Sequence, residues 1–515
     1  MGDTLTAIRL QPSQQTTVYT KTPELVAAID LGSNSFHMVV ARLRKGELVI
    51  LDRLREMVRL AAGLTAAKNL DDEAQQKGID CLQRFGQRLS GMPPGSVRAV
   101  GTNTLRVARN ANEFLEQAEQ ALGHPIEIIS GIEEARLIYQ GVAHSLATDG
   151  KRRLVMDIGG GSTEYIIGVD KTPLHKESLR MGCVSMSLAQ FPDGKITPKR
   201  FKRAVIAAQM ELEPFQKTFR AGNWDEAVGA SGTLRTVEKL LLSSGWSKNG
   251  ITPDGLGRLI DVLLAAGHFD KLQLPELSLD RKPILPGGVA ILFATFKSLG
   301  IQRMQVADGA LREGLLHDLL GRINHEDIRS RTVTAMASRY HVDQEHSGRI
   351  GNTLKNLVNQ TFPRAGTDAE TALQWLEWAA ALHEIGLDIA HSQYHKHGAY
   401  ILENADMPGF SRQDQKLLAT LVRAHRRKFP VKLFKELAAP WNTAAPPLAL
   451  MLRLSVLLNR SRQSDPIPEI SLALTETGIQ VRFPNDWLND HPLTLADLEL
   501  EASYLGDAGL QLLYN

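Results

Sequence analysis

Two cysteines in 515 residues, Cys81 and Cys183, cannot make a disulfide framework, so a reducing cytoplasm is the expected setting. Nowhere do about 18 apolar residues run uninterrupted, and no membrane span is expected. Residues 1–22 are polar and Thr/Gln-rich with no apolar core, so they lack the pattern of an export signal and read as a flexible tail. Net charge is almost absent as well: 59 Lys and Arg stand against 57 Asp and Glu, a balance of +2. That argues against a dedicated nucleic-acid binder, although a basic patch can hide inside a near-neutral total. With 43% hydrophobic and 23% charged residues the composition is that of an ordinary globular protein, and the length suggests three or four domains.

What is present begins at 26–37, VAAIDLGSNSFH, an apolar run ending in an acid and a turn of small residues. The pattern returns at 154–164, LVMDIGGGSTE. Small residues in a tight turn let consecutive backbone N–H groups converge on an anion, and Ser and Thr hydroxyls add donors without bulk. Phosphate is the natural ligand of Ser33, Asn34 and Ser35 in one turn and of Gly159, Gly160, Gly161, Ser162 and Thr163 in the other. Asp30 and Asp157 would repel a phosphate, so a carboxylate at each turn implies an intervening Mg²⁺ or a positioned water. Asp30 could equally hold its turn through the backbone.

Periodicity places strands at 25–30, 36–43 and 47–51, a helix at 71–89, a strand at 97–100, a helix from about 105 and a strand at 125–129. The order then repeats from 154: strand, turn, two returning strands, a long helix over 198–219, and strands ending in turns near 228–233 and 305–309. Strand, turn and hairpin followed by helices, twice over, gives two α/β lobes with a cleft between them. Beyond 322 the texture is helical, at 332–340, 349–358, 371–383, 413–425 and 448–460, and the last stretch alternates like a small hairpin.

In SGIEEARLIYQG at 130–141, Ser130 and Glu133 have capping-box spacing, which gives Glu133 a structural task and leaves Glu134 free to accept a proton. Arg106, in TNTLR, is expected at a helix start, where guanidinium and helix end together favour an anion; Arg109 one turn on is an alternative partner. Ser231, Gly232 and Thr233, in GASGT at 229–233, form a further small-residue turn and are phosphate-site candidates, and Gly309, in ADGALREG at 307–314, reads as structural.

These stretches together resemble the phosphate and connecting motifs of the actin, Hsp70 and sugar-kinase superfamily, and DLGSNSFH with SGIEEARLIYQG and DIGGGSTE resembles the exopolyphosphatase and guanosine pentaphosphate phosphohydrolase (Ppx/GppA) family in its long bacterial form. The resemblance spans 25–515. It implies two ribonuclease H-like (actin-like) lobes, at 25–137 and 138–323 after the 1–24 tail, then an all-α HD-like domain at 324–462 and a small α+β module at 463–515. It implies Glu134 as catalytic base, Mg²⁺ on Asp157 and Glu164 and also Asp30, and phosphate binding by Arg106.

The activity it implies is exopolyphosphatase: Mg²⁺-dependent release of terminal orthophosphate from inorganic polyphosphate. Guanosine pentaphosphate (pppGpp) 5'-phosphohydrolase stands as the alternative, and a noncatalytic polyphosphate or nucleotide sensor as another. An ATP-dependent kinase is a further possibility. Members of the family often dimerise, so a homodimer is expected, although nothing in the pattern identifies an interface.

At 380–402, AALHEIGLDIAHSQYHKHGAYIL is similar to the HD phosphohydrolase pattern with His383 and Glu384 in place of His-Asp. The longer acid argues for a metal-free HD-like fold. His391, His395 and His397 have the spacing of helix-borne ligands, but together with Lys396 they are expected to face an anionic path. Arg423, Arg426, Arg427 and Lys428, in RAHRRK, would extend that path and hold a long polyanion by counterion release.

Overall fold

The structure is a computed structural model that describes residues 23–44, 47–323, 327–361, 367–462, 467–475, 477–484 and 486–515. The expected tail at 1–22 and part of the Pro-rich segment near 465 lie outside the described residues. The chain divides into two compact units, one over Pro23–Glu326 and one that contains Asp327–Asn515.

In the first unit β1 (Leu25–Leu31), β2 (Phe36–Arg44) and β3 (Glu47–Glu56) form an antiparallel meander. After α1 (Asp72–Leu89), β4 (Val97–Gly101) pairs parallel to β1; after α2 (Asn103–Val107) and α3 (Ala111–Leu122), β5 (Ile126–Ile128) pairs parallel to β4. The sheet order is β3-β2-β1-β4-β5. Helix α4 (Gly131–Ser145) leads into the second copy: β6 (Arg152–Ile158), β7 (Thr163–Val169), β8 (Thr172–Leu179), helices α5 (Cys183–Gln190) and α6 (Pro198–Leu212), then β9 (Glu226–Gly229) and β10 (Met304–Val306). Its order, β10-β9-β6-β7-β8, is the same arrangement. The expected division at 137/138 falls in the middle of α4.

Some boundaries differ from the sequence reading. The helix expected from about 105 is two helices, α2 and α3, and the one expected over 198–219 ends at Leu212, where Pro214 follows in a tighter turn. Proline lacks the N–H that an α-helix interior needs. The helices Pro253–Ala266 and Leu285–Leu299 escaped the sequence reading; the latter is apolar nearly all round because it is buried, which erases helical periodicity.

Strand β1 is buried on both faces: Ala27, Ile29 and Leu31 pack under α1 and α3, while Val26 and Ala28 join a central core. That core also takes Val155 and Ile166 from the second sheet, Leu137 and Ile138 from α4 and Leu315 from the helix Leu311–Ile323. The two helices cross backbone to backbone. A Cβ on Gly141 would lie 1.9 Å from the Ala310 carbonyl oxygen, one on Gly314 1.8 Å from that of Leu137, and one on Gly309 2.1 Å from that of Gly141. Beside this crossing, buried Asp318 receives guanidinium hydrogen bonds from Arg98 of β4 and Arg136 of α4, while Arg136 also grips Glu133 through two bonds of 2.8 Å. Burial alone would raise the Asp318 pKa, but Arg136, Arg98 and Arg322 outweigh it and hold the carboxyl well below its usual range.

The second unit is mainly helical, with Ile328–Arg339, Gln344–Thr361, Thr367–Leu382, Tyr394–Asn404, Arg412–Ala424 and Trp441–Leu458. The last begins well before the expected 448, so Pro446 and Pro447 lie inside it rather than in front of it. The expected hairpin forms as β11 (Ser471–Thr475) and β12 (Gly478–Arg482), and β13 (Gln511–Tyr514) adds parallel to β12 after the helix Pro492–Gly506. Leu472, Val481 and Leu512 share one core with Leu354, Leu376 and Leu421, so the C-terminal segment packs as part of the helical unit.

The Asp318 network generates a stability prediction. Replacing Asp318 by Ala leaves two buried guanidinium groups without their shared carboxylate, which should lower stability by about 3–5 kcal/mol in urea unfolding. A loss below about 1 kcal/mol would mean that the network carries no net weight.

Candidate active site

Strands β1 and β6 occupy the same position in their sheets, and each ends its apolar run with an aspartate one residue before its last: Asp30 and Asp157. The residue opposite each across the antiparallel pair is His37 for Asp30 and Glu164 for Asp157. Directly opposed side chains share a face with Cβ atoms about 4.5–5.5 Å apart, and like charges so placed repel. The duplicated scaffold therefore carries an acid–histidine pair in one lobe and an acid–acid pair in the other.

The turns after these strands meet. A Cβ on Gly160 would lie 2.9 Å from Ser33 Cβ, and one on Gly161 would lie 2.4 Å from Asn103 Oδ1, so only glycine permits the approach. A cavity of about 520 Å³ opens beside the contact, lined by Ser33, Asn34 and Ser35, Gly159 to Ser162, and Ser231 to Thr233. Asp30, Asp157 and Glu134 lie at the same cavity.

Several expected residues have their polar groups engaged within the protein itself. Thr163 is fully buried and gives its hydroxyl proton to the Met181 carbonyl at 2.6 Å. Ser231 caps the helix Gly232–Ser243 by accepting from Leu234 N–H, and Thr233 donates to the Ile158 carbonyl at 3.1 Å. Glu164, 1% exposed, is behind the lining and accepts from Ser178 Oγ at 2.8 Å. Arg106 sits in the last turn of the five-residue α2, not at a helix start, so the helix-end argument for an anion does not apply. Its Nη1 instead donates to Glu134 Oε2 at 2.7 Å and to the Ile129 carbonyl at 3.0 Å. That contact fixes the orientation of the Glu134 carboxylate.

Glu134 lies in the first turn of α4, whose N-cap Ser130 accepts from Glu133 N–H as the spacing predicts. The charge of Glu134 is felt by every other acid of the group. Burial first and Glu134 second raise the pKa of Asp30 to about 7, with Asp157 adding and Arg312 opposing. Burial and Glu134 do the same to Asp157, also to about 7, against Arg235 and Arg312. Glu164 is pushed well above its ordinary value by burial, Glu134 and Asp157.

Around these acids stand cations that the sequence reading missed. Arg53 and Arg55 lie on β3, where period-two alternation puts both on one face; Arg235 is in the helix Gly232–Ser243, Arg281 in the turn before Leu285–Leu299, and Arg312 in Leu311–Ile323. Arg281 packs over Gly232, where a Cβ would meet its Nη2 at 2.4 Å. Arg312 donates from Nη1 to His37 Nδ1. Since guanidinium only donates, His37 Nδ1 accepts and its proton stays on Nε2, which reaches Ser35 Oγ at 2.8 Å. Burial and the surrounding arginines depress the His37 pKa to about 2, so the ring is neutral at working pH. Arg312 and His37 were within the quoted motifs ADGALREG and DLGSNSFH. The pairing of Arg312 with His37 had no local signal.

A divalent cation fits this floor. Asp30 Oδ1 is buried with no hydrogen-bond partner, and Asp157 faces Glu164 across the strand pair, an arrangement that opposed carboxylates tolerate best with a cation between or beside them. Arg235 Nε and Arg312 Nε are likewise buried without partners, donors left over for anionic oxygens.

The residues of the expected anionic path lie in the helical unit. His391, Lys396, Arg427 and Lys428 are exposed, and His397, Arg423 and Arg426 are half-buried. His395 is 7% exposed, which removes it from a surface path. Arg426 stacks 4.6 Å over the Tyr394 ring, and Arg427 donates to Tyr504 Oη at 3.2 Å. The run 423–428 straddles the end of Arg412–Ala424 instead of forming a helix face.

Two like α/β lobes closing on a carboxylate floor rimmed by arginines define an actin-like fold built for phosphoryl chemistry. The chain belongs to the Ppx/GppA phosphatase family: residues 39–323 match that family and residues 328–502 match Ppx/GppA phosphatase, domain III. It is thereby a hydrolase of phosphoanhydride bonds. Guanosine-5'-triphosphate,3'-diphosphate pyrophosphatase of Aeromonas hydrophila is 41% identical over 93% of this chain and 96% of its own length. The protein of the same name from Pseudoalteromonas translucida is 39% identical over 95% and 98%. Among solved structures, an exopolyphosphatase from Cytophaga hutchinsonii has a TM-score of 0.52 at 22% identity, over 58% of this chain and 98% of that one; at this identity the likeness is of fold. Among the described residues, no helix is long and apolar enough to cross a membrane.

The raised carboxyls give a pH prediction. A buried Asp with a folded-state pKa near 7 contributes stability that is full below the unfolded value of about 3.8 and is lost as pH rises through 7. Asp157→Asn removes that loss. In chelator the variant should be more stable than the parent by about 1–4 kcal/mol at pH 8, with the difference vanishing near pH 4, as read by urea unfolding at both pH values. A variant less stable than the parent at pH 8 contradicts the assignment.

Proposed function

We propose that this chain is a guanosine pentaphosphate phosphohydrolase, releasing the terminal 5'-phosphate of pppGpp as orthophosphate and leaving the tetraphosphate. The observation that carries the substrate is the name shared by relatives about 40% identical over nearly the whole chain. The sequence favoured long-chain polyphosphate because of the basic helical unit. Burial of His395, and engagement of Arg426 and Arg427 by tyrosines, weaken that basis.

In this reading the terminal phosphoryl lies between the two turns, its oxygens taking backbone N–H groups of 33–35 and 160–162 and the unpartnered Nε groups of Arg235 and Arg312, while the Gly159 N–H closes its own turn on the Ser162 carbonyl. Ser35 accepts from His37, so its own hydroxyl proton is free to point at a phosphoryl oxygen. Asp30 and Asp157, with Glu164 behind, would hold Mg²⁺. When bound, that ion neutralises charge on the transferred group. Glu134, oriented by Arg106, takes a proton from the water that attacks the terminal phosphorus in line. The bond from phosphorus to the bridging oxygen breaks, and the electron pair leaves with the tetraphosphate. The remaining arginines bind the rest of a compact polyanion, so affinity should fall with salt.

Two measurements check this. Glu134→Gln should lower turnover of pppGpp about 10²–10⁴-fold with substrate binding retained by calorimetry; near-parental turnover removes Glu134 from the mechanism. In parallel phosphate-release assays kcat/KM for pppGpp should exceed that for long-chain polyphosphate. The reverse order would reinstate exopolyphosphatase.

A further inference from the structure

The helical unit holds a cluster that the proposed reaction does not use. His346 is near the start of Gln344–Thr361, and His383 and Glu384 directly follow Thr367–Leu382. All three are buried. A nitrogen from each histidine and a carboxylate oxygen lie within 4.8 Å of one another.

The hydrogen bonding around His383 orients it for a ligand. Its Nδ1 is 2.7 Å from the Ala380 carbonyl, which only accepts, so Nδ1 carries the proton and Nε2 presents a lone pair. That Nε2 is buried with no hydrogen-bond partner and lies 3.9 Å from Glu384 Oε1. His346 Nδ1 is also buried and unpartnered. Leaving such a nitrogen without a partner is unfavourable, and two beside one carboxylate need a common explanation. An imidazole whose outer N–H is fixed on a backbone carbonyl while its inner nitrogen stays bare is the arrangement that orients histidine ligands on a metal.

We infer that His346, His383 and Glu384 form a binding site for a divalent transition-metal ion of the zinc class. Two imidazoles and one carboxylate are the donor set of that class, whereas magnesium and calcium prefer oxygen alone. Three protein ligands leave one coordination position open to water. At bond lengths of about 2.0–2.2 Å the donors would close inward by up to about an ångström, within the reach of side-chain rotation. Arg462 now donates to Glu384 Oε1, but its side chain is 44% exposed and its Nη1 also binds Asp343 at 3.1 Å. A bound ion takes over Glu384 and leaves Arg462 on Asp343. The ion ties the start of one helix to the end of the next, so it stabilises the unit. The adjacent His-Glu pair alone favoured a metal-free fold; the approach of His346 changes that reading.

The test uses the full chain carrying Asp157→Asn, which disables the proposed cation site between the lobes. Chelator-stripped protein is dialysed against micromolar Zn²⁺, and bound metal is measured by mass spectrometry. About one Zn²⁺ per chain is expected, with a rise in the unfolding temperature, and His346→Gln or Glu384→Gln should weaken binding at least about 100-fold. Co²⁺ added to the same protein should give the visible absorption of a nitrogen-ligated ion, a readout that needs no further substitution. Absence of that band in folded protein overturns the inference, as does a Zn²⁺ equivalent that survives both substitutions.

Discussion

Mutual repulsion among buried carboxylates is the constraint on which the rest of the first unit depends. Asp30, Glu134, Asp157 and Glu164 come from three strands and a helix, and the charge of Glu134 raises the pKa of each of the others. Such a group cannot be buried at neutral pH without compensation. The compensation visible in the fold is a ring of arginines, one of which, Arg106, pins Glu134 directly. The remainder is what a divalent cation would supply. A floor of acid beneath a rim of guanidinium suits a ligand that is itself a polyanion carried on a metal, and suits little else.

The duplication explains how the charges are divided. Both lobes present an aspartate at the same point of the same sheet order, yet the residue across the strand differs. In the second lobe it is Glu164, which concentrates negative charge beside Asp157. In the first it is His37, neutral and held by Arg312, which fixes a donor on Ser35. One scaffold used twice thus becomes one jaw with an acid–histidine pair and one with an acid–acid pair. Glycines at 160 and 161 let the jaws touch, and those at 141, 309 and 314 let the helices behind them cross closely.

Much of this was legible in the chain because the chemistry repeats locally. DLGSNS and DIGGGST declare themselves as paired turns, the alternation around them gives the strands, and Ser130 with Glu133 marks the start of the helix that carries Glu134. The arginine rim was not legible, since Arg53, Arg235, Arg281 and Arg312 are scattered in sequence and meet only through topology. Arg106 was misread because a five-residue helix puts it at an end instead of a start. The helix Leu285–Leu299 was missed since burial on every side removes the amphipathic period. His346 was invisible as a partner of His383 for the same reason as the arginines: only helix packing brings them together.

The central claim is that burial and mutual repulsion keep Asp30 and Asp157 largely protonated up to about pH 7, so that a divalent cation binding there would displace protons. Calorimetric titration of the substrate-free chain with Mg²⁺ at pH 6.5, repeated in buffers of different ionisation enthalpy, measures that exchange directly. The account predicts release of about one to two protons per Mg²⁺ bound, diminishing towards pH 8.5. Mg²⁺ binding with no proton release at pH 6.5 would contradict it.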